Sequence, residues 1–209
     1  MATEQQVIDV KYDIVRAEQE QKLREIFDPT ILSWLYKNNV NTLEDAFNFT
    51  GFFDITNFNK TFLSLKGIEY LKGTEGIYLR GNTFTGVDLD LSQNINIEYL
   101  YCEYTGLTSI GNIGFLSKLK SIFLTNNSSI GYFGSIANNI NLIDFYVNGI
   151  GLTQIDVDRY LSQCKTAYDA GAPFTGGIIL SGNAIPTGGA TNPDYVYLTN
   201  EGITVTIDV

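Results

Sequence analysis

The order of apolar and polar residues changes character along the chain. Near the N-terminus, Ile8, Val10, Tyr12 and Ile14 alternate with Asp9, Lys11 and Asp13. A period of two predicts a short strand, in preference to the helical reading the same residues also allow. From Arg16 to Phe27 the pattern is charged and helical. Asp28-Pro29 then opens a helix through Tyr36, because Asp caps well and Pro fits the first helical position. Thr42-Leu-Glu-Asp45 resembles a capping box for a third helix. Trp34 and Leu35 are expected to plug the open end of whatever follows.

Beyond this segment the apolar residues recur at a much longer period. The pattern L-x-x-L-x-L-x-x-N-x-L is matched by Thr74, Ile77, Leu79, Asn82 and Phe84, and again from Ile97, Leu119, Leu142 and Thr175. Its central apolar residue steps through Ile77, Leu100, Ile122, Phe145 and Ile178, at intervals of 23, 22, 23 and 33. The last interval is longer because it holds a helix. From about Phe62 to the C-terminus the chain therefore resembles leucine-rich-repeat proteins. Leu65-Lys-Gly-Ile-Glu-Tyr-Leu71 looks like the connecting half of an earlier, degenerate unit.

The resemblance implies an α/β solenoid. Each unit lays one short strand beside the last in a parallel sheet, and stacking supplies the core that no single unit could bury. Thr105 and Ile150 stand where the pattern has Asn, so the ladder of buried amides is expected to break there. The domains are a docking or capping module over 1–50, with a strand and helices, and a solenoid over 51–209 with a C-terminal helix-strand cap. In that cap, Asp156 to Gly171 reads as a helix with Asp156 as N-cap, and with Val157, Tyr160, Leu161, Cys164 and Tyr168 on one face. Asn192-Pro193-Asp194 opens a second helix ending near Gly202, and Ile203 to Ile207 alternate as an edge strand.

In this pattern, the residue between the last two apolar positions points out of the sheet. That column is Tyr78, Tyr101, Phe123, Tyr146 and Ile179. Tyr99 and Asp144 flank it on one side, and Arg80, Glu103, Thr125 and Asn148 on the other. With strands about 4.8 Å apart the rings form a continuous stripe. Such a stripe is either a ladder that stabilises the sheet or a contact surface. Tyr78, Tyr99, Tyr101, Phe123 and Tyr146 are the candidate binding residues.

Composition narrows the chemistry. The chain carries 13 Lys and Arg against 23 Asp and Glu, a net charge of −10, which disfavours a nucleic-acid backbone. It has no histidine, which removes His-based nucleophiles, bases and metal ligands. The pairs Asp88/Asp90 and Asp156/Asp158 read as a loop exit and a helix start, not as a catalytic pair or a Ca²⁺ loop. Gly188-Gly189 lacks the Gly-Lys-Ser/Thr of a phosphate cradle. No enzyme, metal site or cofactor is expected. Cys102 and Cys164 are expected to be buried free thiols. Asn48-Phe-Thr50 and Asn59-Lys-Thr61 fit a glycosylation pattern, but Met1 to Gln6 do not read as an export signal and no run approaches a membrane span.

A second resemblance lies in the C-terminal stretch. Leu180-Ser-Gly-Asn183-x-x-Pro186, a short helix and the final Gly202-x-Thr-Val-Thr206 strand are similar to the terminal repeat and cap of leucine-rich-repeat structural proteins in tailed phages of Bacteroidetes, and in surface proteins of those hosts. The resemblance implies a non-enzymatic virion protein, capsid- or tail-associated and assembled in the host cytoplasm. It would join other virion proteins through its N-terminal segment, with a homo-oligomer as one form of that assembly, and display its sheet to a host-surface protein or glycan. The alternative is a bacterial adhesin or interaction module of internalin-like type, at the cell surface.

Overall fold

The computed structural model of the protein describes residues 4–111 and 113–209. Helix α1 (Glu4–Ile26) runs through the N-terminal stretch expected to be a strand. That expectation is corrected. Glu4 to Ile26 contains no Gly or Pro and is rich in Gln, Glu, Lys and Arg. Once a helix nucleates there, each further residue adds a hydrogen bond at little cost, and a seven-residue alternation does not stop it. Residues 1–3 of the expected docking module lie outside the described residues. Lys11 and Asp13 to Gln19 are exposed. The helix is anchored on the body at its C-terminal end, where Leu23 and Phe27 are buried. Gly67 makes room for Phe27: a Cβ there would come within 2.1 Å of the ring.

Helices α2 (Pro29–Lys37) and α3 (Leu43–Asn48) start where capping chemistry predicts. Asp28 accepts from the Thr30 amide, and Thr42 and Asp45 form a reciprocal capping box. Trp34 and Leu35 are buried at the end of the sheet. The Trp34 indole N–H donates to the Asp54 carbonyl at 2.7 Å, and its ring stands edge-on to Phe53 at 4.8 Å.

The strands follow in chain order: β1 (Gly51–Asp54), β2 (Thr61–Phe62), β3 (Thr74–Tyr78), β4 (Thr83–Phe84), β5 (Asp88–Leu89), β6 (Tyr99–Tyr101), β7 (Ser109–Ile110), β8 (Ser121–Phe123) and β9 (Asp144–Tyr146). Helix α4 (Gln154–Asp169), β10 (Gly177–Ile179), α5 (Pro193–Asn200) and β11 (Val205–Thr206) complete the chain. One parallel sheet has the order β1-β3-β6-β8-β9-β10-β11. Two small parallel pairs, β2 with β4 and β5 with β7, lie apart from it. The fold is thus α/β, with a seven-stranded parallel sheet.

The register is the one the long period implies. Ile77, Leu100, Ile122, Phe145 and Ile178 pair side by side, and each is fully buried. They form the spine of a single core running from Leu23 to Val205. Strand β1 escaped the sequence reading. Phe53 pairs with Ile77 and precedes it by 24 residues, close to the other intervals. It is hidden because exposed Phe58 stands where the pattern wants Asn and Lys60 where it wants an apolar residue.

The expected gaps in the amide ladder do not open. The Asn82 side-chain amide donates to the carbonyls of Ile55 and Leu79, Asn127 to Cys102 and Leu124, and Asn183 to Val147 and Leu180. An NH₂ group has two protons, so each Asn serves its own strand exit and the preceding one. Alternate strands need no Asn of their own.

At the C-terminal end, α5 begins at the predicted Pro193, and Asn192 caps it. The cap of α4 is corrected: Thr153 is the N-cap, and Asp156 closes the capping box from the third helical position. Val157, Tyr160, Leu161, Cys164 and Ala167 form its buried face, while Tyr168 is half-buried. Asp158, read from sequence as surface charge, ties α4 to the closing loop by accepting from the Thr187 amide at 2.8 Å and from the Asn192 side chain at 3.1 Å.

Candidate functional site

Parallel sheets are ordinarily covered on both faces. Here the face opposite the spine carries half-buried rings. Tyr78 pairs with Tyr101, Tyr101 with Phe123, and Phe123 with Tyr146. Ile179 closes the column beside Tyr146. The structure therefore brings together all the residues expected from sequence: Tyr78, Tyr101, Phe123 and Tyr146 in one row, with Tyr99 in the adjacent one.

Phe52 joins them from β1. It sits in register with Gly76, not with Tyr78, yet its ring stacks on Tyr78 at 5.2 Å and 12°. The missing side chain of Gly76 permits this, since a Cβ there would lie 2.5 Å from the Phe52 ring. Tyr78 stacks on Tyr101 at 4.7 Å and 10°. The stack then breaks, because Phe123 is turned 87° from Tyr101 at 4.8 Å. Phe123 meets Tyr146 at 4.6 Å and 59°, and the Tyr146 hydroxyl is fixed on the Gly176 carbonyl at 2.6 Å. Tyr99 stands edge-on to both Phe52 and Tyr101.

Stacking uses the ring faces of Tyr78 and Tyr101. What that stretch presents to solvent is ring edges and hydroxyls. The ladder is real as a set of contacts, each cross-strand pair worth roughly 0.2–1 kcal/mol. It does not cover the face. A concavity of about 340 Å³ opens where the stack breaks, lined by Thr56, Tyr78, Arg80, Tyr101, Glu103 and Phe123. The flanking positions supply its polar wall. Arg80 and Glu103 form an ion pair at 3.6 Å, and the Arg80 guanidinium lies 6.0 Å from the Tyr104 ring. On the other flank Ser121 donates to Asp144 at 2.6 Å. Sequence reading named Arg80 and Glu103 as flanking residues but missed how deeply Glu103 sits. It also missed Phe52 and Thr56, which belong to the unrecognised first strand and its exit.

Burial is the main cause that pushes the Tyr78 phenol up to about 12, with smaller contributions from Tyr101, Tyr99 and Asp54. Burial likewise raises Tyr101, opposed in part by the Ser121 hydroxyl. Both are neutral hydroxyls at any physiological pH. A phenol raised in the folded state contributes stability that is fully present below its unfolded value near 10 and lost as pH rises through the folded value. Stability is therefore expected to fall between about pH 10 and 12 as Tyr78 ionises, while the more deeply buried Tyr160 phenol, pushed up further by burial, ionises only beyond that window. An alkaline spectrophotometric titration run beside denaturant melts checks this. A flat stability profile through the window would contradict the buried stack.

Outside this face little offers chemistry. Cys102 and Cys164 are free and buried, and burial raises both thiols. Asp88 accepts from Thr108 and Ser109, and Asp90 from the Ser92 amide, so both serve loop structure. Among the described residues there is no group of three or more His, Cys, Asp or Glu that could hold a metal, and no described helix is long and apolar enough to cross a membrane. No protein-family model matches the chain, and no curated protein matches it.

Proposed function

We propose that this chain is a leucine-rich-repeat solenoid that acts, without catalysis, as a contact protein on the particle of a tailed phage. The observation that carries the contact role is the row of half-buried rings on an uncovered face of a parallel sheet. A ladder kept for stability alone gains most when its rings are fully covered. A partly open row with a concavity at its break suits a partner that completes the burial. The strand period supports the repeat assignment. The phage assignment rests on the sequence resemblance of the C-terminal stretch, and α5 and β11 lie where that resemblance puts a helix and a strand.

The exposed part of α1 is the proposed assembly element, and as a helix it would dock by a side-chain face, not by adding a strand to another sheet. Ile14 and Val15 are 53% and 52% exposed on it, large apolar groups left half open to solvent. Mass spectrometry of purified particles is expected to find the chain. Removing residues 1–20, which spares Leu23 and Phe27, is expected to leave a folded protein that no longer enters particles. Undiminished incorporation would refute the assembly role. Recovery of the chain from bacterial envelopes and not from particles would favour an adhesin.

A further inference from the structure

Glu103 lies beside the aromatic row and is only 9% exposed. Its Oε2 is buried and has no hydrogen-bond partner among the described residues. Arg80 reaches Oε1 at 3.6 Å, beyond an ordinary N–H···O bond. Buried carboxylate oxygens are almost always hydrogen-bonded, and one left bare calls for an explanation. Glu103 lines the same concavity of about 340 Å³ as Thr56, Tyr78, Arg80, Tyr101 and Phe123, at the point where the ring stack turns through 87°. The Arg80 side chain is 56% exposed, so its guanidinium has N–H groups left for a ligand in the concavity.

The geometry points to a neutral saccharide as the ligand of this concavity, with Glu103 and Arg80 holding its hydroxyls and the turned aromatic wall packing against its ring. This rests on the reading of the aromatic face as a contact surface. The space suits a small ring or two, and is too small for a helix or a folded partner. Glu103 and Arg80 cancel in charge. A cation approaching the glutamate meets the repulsion of Arg80, and an anion approaching the arginine meets that of Glu103. A pair of neighbouring hydroxyls satisfies both, donating to the carboxylate and accepting from the guanidinium. The C–H face of a pyranose is apolar and fits against Phe123, which is turned out of the stack, while Tyr78 and Tyr101 add ring edges and hydroxyls at the rim.

The test titrates ring-labelled protein by NMR with four neutral disaccharides (cellobiose, N,N′-diacetylchitobiose, lactose and maltose) and with the cationic peptide Gly-Lys-Gly. At least one disaccharide is expected to shift the Tyr101 and Phe123 ring signals. Glu103→Gln, which keeps the shape but replaces one acceptor with a donor, is expected to weaken that binding by about tenfold or more. Arg80→Met, which removes the guanidinium and keeps an apolar stem of similar length, should weaken it as well. Thermal melts of both variants separate lost binding from lost fold. No shift with any disaccharide, or a preference for the lysine peptide, would overturn the saccharide assignment. Equal disaccharide binding by wild type, Glu103→Gln and Arg80→Met would overturn the role of the pair. Loss of host-surface attachment in a Tyr101→Ser/Phe123→Ser variant, alongside no disaccharide binding, would remove the saccharide and leave the contact surface standing.

Discussion

Replacing Asn127 with alanine is expected to destabilise the protein by roughly 4 kcal/mol, a large share of what holds a domain of this size together. Asn127 is 1% exposed. Its Oδ1 accepts from the amides of Thr105 and Gly106 at 3.0 and 2.8 Å. Its Nδ2 donates to the carbonyls of Cys102 and Leu124 at 2.7 and 2.8 Å. The alanine variant leaves those backbone groups without their partner in a dry place, at about 1–3 kcal/mol for each that finds no substitute. Thr105 softens the loss, since its hydroxyl also reaches the Cys102 carbonyl at 2.9 Å. Denaturant unfolding followed by far-UV circular dichroism measures the change. A shift under about 1 kcal/mol, the size of one ordinary hydrogen bond, would contradict the two-carbonyl role of this amide.

A glycine pair gives the second large effect, with its own control. Gly151 has φ +84°, and a Cβ there would stand 2.4 Å from the Ser128 carbonyl oxygen. Gly151→Ala therefore combines left-handed strain with a backbone clash that no rotamer relieves, and is expected to cost about 3 kcal/mol. Gly131 has φ +60° with nothing within 4 Å of the built Cβ, so Gly131→Ala carries the strain alone, about 1 kcal/mol. Equal costs at the two sites would show that chain-to-chain approach near Ser128 is looser than described.

These two positions also mark what was legible in the chain. Asn127 was visible because it sits on a repeating pattern, and the spine from Ile77 to Ile178 was visible for the same reason. How few amides the ladder needs was not, because that depends on both protons of one NH₂ reaching different strands. Gly151 is one of 20 glycines, and nothing local distinguishes it; its constraint is a neighbour 23 residues away in sequence. The N-terminal alternation from Ile8 to Ile14 fits a strand and a helix alike, and what decides it is that the helix predicted from Arg16 onward extends back through it without a break. Strand β1 is hidden because two pattern positions fail together, Phe58 in the place of an asparagine and Lys60 in the place of the last apolar residue; the units at Thr105 and Ile150 lack only the asparagine.

The aromatic face shows the same division. Tyr78, Tyr101, Phe123 and Tyr146 follow from the period, since every second position of a strand shares a face. Ring orientation does not. That Tyr78 and Tyr101 stack at 10° while Phe123 turns by 87° depends on Phe52 leaning over Gly76 at one end and on the Tyr146 hydroxyl anchored at the other. The concavity, with Glu103 in its lining, arises at that turn.

The contact role of this face is the central claim, and the variant Tyr101→Ser/Phe123→Ser tests it most directly. It removes the ring contacts of Tyr101 with Tyr78, Tyr99 and Phe123, and of Phe123 with Tyr146. Lost cross-strand pairs of this kind cost roughly 0.2–1 kcal/mol each, so the variant is expected to fold with a modestly lower melting temperature. Under the proposed phage role, the measurement is adsorption of the purified folded variant, and of particles carrying it, to host cells. A loss of about tenfold or more is expected, as for central aromatic residues of an interface. Undiminished adsorption by a folded double variant would contradict the contact role and leave the rings as a ladder for the sheet alone.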